Sequence, residues 1–274
     1  MTVHSTLQSY IDAWTQSIEA ISGLVAPLVE GEWNKATECP GWSVRDVVSH
    51  IIGTECEKLG DPRPIHPLPR DLFHVKDEFS RYMEVPVDVR RCHTGPEMTA
   101  ELEYTIIRRA RQLRNENRAP QTKVRGLMGR ETTLEELLQT SVVDIWVHEQ
   151  DLRRALGAPG NLDSPGAVVT RDALLASLPG VVAKGAAAPA GSVVVFDVSG
   201  PLEFLRTVRI HAEGKGTIDS SISLGPTVTL TLDWETFVRL ACGRVHPRAV
   251  KDSLKVEGDK PLAEAILSHF AVTP

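Results

Sequence analysis

The sequence predicts a helical bundle over residues 1–157 followed by a small α+β domain over residues 166–274. Three observations carry that reading. Apolar residues recur at helical spacing through four stretches of the first half. The stretch GAPGNLDSPG (157–166), rich in Gly and Pro, then interrupts the pattern as a linker would. Beyond it, short β-rich runs such as SVVVFDVSG and TVTLTLDW mix with short helical ones, the pattern of an α+β fold. At 274 residues, two domains suit the chain better than one.

The elements follow in order. Leu7, Ile11, Trp14, Ile18 and Ile21 repeat at helical spacing and predict a first helix over 4–30. Pro40 and Gly41 make a turn, and Ser43 is a suitable N-cap for a second helix over 44–59. Residues 61–96 are proline-rich and lack sustained periodicity, so they are expected to form a long irregular excursion of the kind that shapes or covers a site. A third helix is predicted over 96–117. A fourth is predicted over 132–156, with Thr132 or Thr133 as N-cap and Gly157 as its stop. Four helices with one long connection suggest a bundle. After the linker come a helical stretch (167–185) and four strand-like runs, among them LRTVRIHAEG and TIDSSIS. A helix (234–243), the strand LKVEG and a closing helix (261–270) complete the chain.

Composition narrows the function. Hydrophobic residues make up 42% and charged residues 24%, ordinary values for a chain with a substantial core. The net charge of −6 argues against a nucleic-acid partner, whose domains usually run basic. The run RRARQLR (Arg108, Arg109, Arg111, Arg114) lacks interleaved aromatics and is expected to be a solvated helix face. No apolar run approaches the roughly 20 residues of a membrane span, and the N-terminus lacks a signal-peptide core, so no membrane association is expected. Cys39, Cys56, Cys92 and Cys242 are scattered without a C-x-x-C pair. That usage fits free thiols in a reducing cytoplasm and excludes a cysteine-rich zinc site. No phosphate-binding glycine loop or nucleophile elbow is present.

The segment SVVDIWVHEQDLRRALG (141–157) is apolar enough for a buried helix, yet Asp144, His148 and Asp151 share one of its faces. Asp144 and His148, four apart, can reach one ion, as the two histidines of an H-E-x-x-H helix do. A catalytic zinc usually takes three protein ligands and keeps one position open. His50, among apolar neighbours in RDVVSHII, is the best third candidate, and facing helices of bundles often build such sites. Two other readings fit the same residues. Asp144 and His148 could simply hydrogen-bond, and His50 could be a satisfied core histidine. Asp151 could orient a ligand histidine or pair with Arg154.

The segments ECPGWSVRDVVSHIIGTE and VVDIWVHEQDLRRALG resemble the mycothiol-dependent maleylpyruvate isomerase family, a group of DinB-like metal-binding four-helix bundles. The C-terminal TVTLTLDWETFVRLACGR and LKVEGDKPLAEAILSHFAVTP look like that family's second, sterol-carrier-like α+β domain. The resemblance implies a divalent metal, usually zinc, on His50, Asp144 and His148. One departure stands out: the family pattern has a glutamate where this chain has Asp144, one methylene shorter. A small helix shift or a bridging water would restore contact.

The resemblance further implies mycothiol, the small thiol of actinobacteria, as cofactor and a small electrophile or unsaturated acid as substrate. Metal coordination deprotonates a thiol whose free pKa is near 8.5. Reversible addition of the thiolate to an activated cis double bond would isomerise it, whereas retention of the adduct would be S-transfer. Arg153 and Arg154 could bind carboxylates of cofactor or substrate. Arg239 and Arg244 are candidates for the catalytic arginine that the family's C-terminal domain is thought to supply. Trp42 and Trp146, beside the ligand helices, are candidates to line the pocket. A metal-dependent isomerase is the leading expectation; a mycothiol S-transferase and a non-catalytic small-molecule or metal-binding protein are the alternatives.

Overall fold

The computed structural model describes residues 3–220 and 225–273. Backbone packing divides the chain into two units, Met1–Gly160 and Asn161–Pro274. The first holds five helices: α1 (Val3–Val25), α2 (Val44–Leu59), α3 (Glu78–Asp88), α4 (Gly95–Arg114) and α5 (Leu134–Leu156). Here α1 packs on α5 and α4, and α2 packs on α3, α4 and α5. The seam is apolar: Ile18, Ile21, Val47, Ile51, Val142 and Ile145 are all essentially inaccessible to solvent.

Caps set both site-bearing helices. Ser43 accepts from the Asp46 backbone N–H, and the Asp46 carboxylate accepts from the Ser43 backbone at 2.8 Å. Thr133 and Glu136 make the same reciprocal pair at the start of α5. Gly60 and Gly157 end the two helices in the left-handed region, at φ 88° and 66°, where glycine carries no steric penalty.

Three expectations for this unit need correction. The first helix ends at Val25, and a short 3₁₀ turn (Glu30–Asn34) follows. Pro27 explains the stop, since it cannot donate into a continuing helix. The excursion over 61–96 contains α3, capped by Asp77 through the Ser80 N–H. Pro86 lies inside α3 and leaves the Tyr82 carbonyl without its helical donor; Arg63 Nη2 supplies one at 2.5 Å. Between α4 and α5 an unanticipated antiparallel pair forms from β1 (Lys123–Arg125) and β2 (Glu131–Thr133).

The arginine run is also not a uniformly solvated face. Arg111 and Arg114 are exposed, but Arg109 is only 4% exposed and pairs with Glu55 at 3.0 Å. Arg108 grips Asp61 through both terminal nitrogens, at 2.7 and 2.6 Å.

The second unit begins with α6 (Pro165–Gly180), continued by a π turn to Gly185. Its sheet comprises β3 (Val193–Ser199), β4 (Phe204–Ile210), β5 (Gly216–Asp219), β6 (Val228–Asp233) and β7 (Leu254–Gly258), in the order β5-β4-β3-β6-β7. All pairings are antiparallel except β3 with β6. Helices α7 (Trp234–Ala241) and α8 (Lys260–Ser268) complete an α+β fold, the class the alternation predicts. The expected strand TIDSSIS is present as Gly216–Asp219; Ser221, Ile222 and Ser223 lie outside the described residues.

One helical stretch, Pro165–Gly185, is 21 residues long with a mean hydropathy of 1.3 over its most apolar 18-residue window, but Arg171, Asp172 and Lys184 interrupt it. Its residues Ala167, Leu174, Leu178 and Val182 are buried, and α6 packs on β4 and β5. Its apolarity thus serves the core of the α+β unit.

Two predictions follow from the helix contacts. A Cβ on Gly53, one turn beyond His50, would lie 2.3 Å from Pro86 Cβ. Gly53→Ala should therefore push α3 off α2 and cost roughly 1–3 kcal/mol in urea unfolding.

The second prediction concerns Asp61. The hydrogen bonds from Arg108 hold its carboxyl below the usual 3.8. Because the folded pKa is depressed, this stabilisation is complete above the ordinary value and is lost as pH falls through the lowered one. Arg108→Ala should flatten the stability profile between roughly pH 5 and pH 2 in denaturation series.

Candidate metal centre

Helices α2 and α5 bring His50, Asp144 and His148 together. The Asp144 Oδ1 atom lies 3.3 Å from His50 Nε2 and 3.5 Å from His148 Nε2. One ligand atom from each residue fits within 4.8 Å of the others. Tetrahedral zinc with bonds of about 2.0–2.1 Å sets its ligands about 3.3–3.4 Å apart, so the two carboxylate–imidazole separations fit a shared ion. Aspartate at position 144 therefore reaches both histidines without a helix shift. Its second oxygen, Oδ2, is buried with no hydrogen-bond partner among the described residues, as is His50 Nδ1.

The two histidines are held differently. His148 Nδ1 donates to Asp151 Oδ2 at 3.1 Å. Since a carboxylate only accepts, this bond leaves the lone pair on Nε2, facing Asp144. Asp151 is fully buried and also accepts from Arg154 Nη2 at 2.8 Å and from the Cys39 thiol at 3.1 Å. His50 has no such acceptor. Its ring instead packs against the Trp42 indole, 5.0 Å between centroids, and stands 4.7 Å from the His148 ring.

Trp42 in turn donates from Nε1 to Glu84 of α3 at 2.9 Å. Glu84 is fully buried and also takes hydrogen bonds from His74 (2.9 Å) and Arg91 (2.5 Å). The excursion thus does reach the site, through a helix.

Electrostatics suit cation binding. Burial disfavours protonated His50 more than Asp144 favours it, so its pKa is lowered and the ring is a neutral donor at pH 7. Burial alone would raise the Asp144 pKa, but the positive charge that His50 and His148 carry when protonated outweighs it and holds the carboxyl well below the ordinary range; a bound cation would take that charge's place. Two lone pairs and one negative charge is a common zinc donor set.

Of the remaining residues singled out from the sequence, Arg153, Arg154 and Trp146 belong to the first unit outside the trio, and Arg239 and Arg244 belong to the second unit. Arg153 donates to Glu149 at 2.7 Å and to the Ala158 carbonyl, and Arg154 pairs with Glu38 as well as Asp151. Trp146 is wholly buried. Arg239 ends α7 in the second unit; Arg244 follows it and donates to the Cys242 carbonyl at 2.7 Å.

Sequence reasoning passed over Cys39, Glu38 and Glu84. Cys39 lies 4.0 Å from His148 Nδ1 although 109 positions separate them, and with His148 and Asp151 it forms a second trio of possible ligands. The one local hint was a cysteine placed in the turn just before the histidine-bearing helix. All four cysteines are free thiols.

Comparison with known proteins supplies the family. Residues 14–153 match the mycothiol maleylpyruvate isomerase N-terminal domain, and residues 168–265 match the MDMPI C-terminal domain. Crystal structures of a mycothiol-dependent maleylpyruvate isomerase and of a variant of it share the fold, with TM-score 0.58 and 15% identity; each match covers 94% of this chain and 95% of that one. The sterol carrier protein domain 2 of Helicoverpa armigera aligns at 21% identity over 40% of this chain and 88% of its own, with a TM-score of 0.29 that carries no weight for the fold. No curated protein sequence matches the chain.

Replacing His148 by alanine should abolish most uptake of added zinc, read by elemental analysis after desalting, while circular dichroism stays unchanged because the apolar seam is intact. Asp151→Asn should weaken zinc binding about 10–100-fold in chelator competition. Full zinc content in the His148→Ala protein would contradict the site.

Proposed function

Because the chain belongs to the mycothiol maleylpyruvate isomerase family and is an enzyme, we propose that it isomerises a small cis-unsaturated acid with mycothiol, at a divalent cation held by His50, Asp144 and His148. We assign zinc as that cation on the strength of the two-histidine, one-carboxylate donor set. When bound, such a cation lowers the pKa of a coordinated thiol so that it is a thiolate at neutral pH.

The observation that carries the reading is the convergence of the His50 and His148 imidazoles on the Asp144 carboxylate, whose Oδ1 lies 3.3 and 3.5 Å from their Nε2 atoms and whose buried Oδ2 finds no partner among the described residues. The chain's own residues have separable tasks. Asp151 keeps the His148 proton on Nδ1 and so keeps Nε2 available. Burial keeps His50 neutral. Trp42 covers both imidazoles, with ring centroids 5.0 Å from His50 and 6.2 Å from His148, and excludes water from that side. Asp144 is the ligand most open to solvent, with 27% of its side chain exposed, and marks the side from which small molecules enter.

Arg153 and Arg154 are tied to Glu149, Asp151 and Glu38, so we assign them to holding the site and not to binding substrate or cofactor. A carboxylate on the substrate then calls for another cation. Guanidinium suits that task because it meets a carboxylate with two parallel hydrogen bonds.

S-transfer would use the same site and differ in whether the substrate keeps the sulfur. The test is loss of maleylpyruvate absorbance with mycothiol present. The expected result is many turnovers per thiol, no turnover without it, and at least a hundredfold loss in His148→Ala. Thiol consumed one-for-one with substrate would establish a transferase, and turnover independent of thiol would overturn both readings.

A further inference from the structure

A second cavity lies at the end of the bundle where α5 begins. Its volume is about 190 Å³. Leu134, which lines it, precedes His148 by fourteen residues on the same helix, roughly 21 Å along the axis at 1.5 Å per residue. The cavity is therefore distinct from the metal centre and is built wholly within the first unit.

Its chemistry is that of an anion receptor with an apolar wall. Lys58, Arg109, Arg118 and Arg125 line it, in a chain whose net charge is −6. Against these four cations stand two carboxylates. Glu55 serves both Lys58, at 2.7 Å, and Arg109, at 3.0 Å, so one negative charge is shared by two buried cations. Glu116 is taken by Arg118 at 2.5 Å. Arg125 is exposed on β1 and has no hydrogen bond or ion pair among the described residues.

The buried guanidinium is itself incompletely satisfied. Arg109 gives Nε to Glu55 and Nη1 to Gln112, but Nη2 is buried with no acceptor among the described residues. The side chain is 95% buried, and an unpaired charged donor in that setting is costly, commonly a few kcal/mol. Native proteins rarely leave such a group without a ligand or an ordered water. Opposite the cations, Leu113, Val124, Leu134 and Leu137 provide apolar surface.

We propose that this cavity binds a small organic monocarboxylate, its carboxylate on Arg109 and Arg125 and its apolar body against Val124, Leu134 and Leu137. A volume of about six waters, at roughly 30 Å³ each, suits a molecule of benzoate's size. Four cations against two carboxylates leave two positive charges there, and the apolar side chains that share the lining favour an organic carboxylate over phosphate. Helices α2 and α5 each contribute residues to this cavity and, further along, a member of the His50, Asp144 and His148 trio.

The test is titration of the ¹⁵N-labelled full chain with benzoate, benzamide and inorganic phosphate, following amide shifts around Val124 and Leu134. Benzoate should saturate at one equivalent, with benzamide and phosphate at least tenfold weaker. Leu137→Trp fills the cavity from a half-buried position and should abolish binding; Arg125→Ala should weaken it about tenfold. If Arg109→Lys folds, it should weaken binding similarly. His148→Ala should leave benzoate binding intact, which separates this site from the metal centre. Absence of saturation, equal binding of benzamide, preference for phosphate, or unchanged affinity in Leu137→Trp would each overturn the proposal.

Discussion

Everything in the first unit is arranged around one constraint: two imidazoles and a carboxylate must sit together inside an apolar helical seam. Burying polar groups without partners is costly, so a site of this kind survives only if its surroundings satisfy it or an ion does. The seam residues Val47, Ile51, Val142 and Ile145 supply the packing that holds α2 and α5 at a fixed distance. That distance places Asp144 Oδ1 within 3.5 Å of both rings. Burial then works in favour of coordination, since it disfavours a proton on His50 and leaves the Asp144 carboxylate in need of a positive partner.

Two buried carboxylates outside the trio do the positioning. Asp151 gathers His148, Arg154 and Cys39, and Glu84 gathers Trp42, His74 and Arg91. Each is fully buried and accepts at least three donors, the condition under which an interior anion is tolerable. The consequences differ. Asp151 fixes a tautomer and so determines which nitrogen of His148 carries a lone pair. Glu84 fixes the tilt of an indole over the two rings. Removing either would do more than delete one hydrogen bond, because each carboxylate joins three donors, and Arg154 or Arg91 would be left to Glu38 or to Asp46 and Asp88 alone.

Much of this was legible in the sequence where the signal is local. Ser43 and Thr133 announce their helices because a cap and its reciprocal partner are three residues apart, and Gly157 marks a stop because only the left-handed region closes the helix there. Asp144 and His148 could be paired because four residues is one helical turn. His50 could be nominated only as a histidine among apolar neighbours; its distance from Asp144 is a tertiary fact.

The misreadings have the same origin. Pro86 conceals α3, since a proline in the pattern reads as a breaker unless Arg63 is known to occupy the orphaned carbonyl. Arg109 is indistinguishable from Arg108 in a basic run, yet one is buried on Glu55 and the other is on the surface with Asp61. No pattern in the chain links Cys39 to a residue 109 positions away.

Aspartate at position 144, one methylene shorter than glutamate, bears on the geometry of the site. A shorter carboxylate must come closer to the histidines to share an ion, and here the helices already allow it. The side chains of His50 and His148 are 6% and 8% exposed, whereas that of Asp144 is 27% exposed. Trp42 closes the imidazole side and Asp151 backs His148 from behind. Asp144 is thus the member of the trio most open to solvent, and its Oδ2, which no side chain among the described residues claims, belongs to that same carboxylate. A one-methylene side chain is long enough here to bring Oδ1 to both imidazoles because the packing of α2 against α5 has already set their separation.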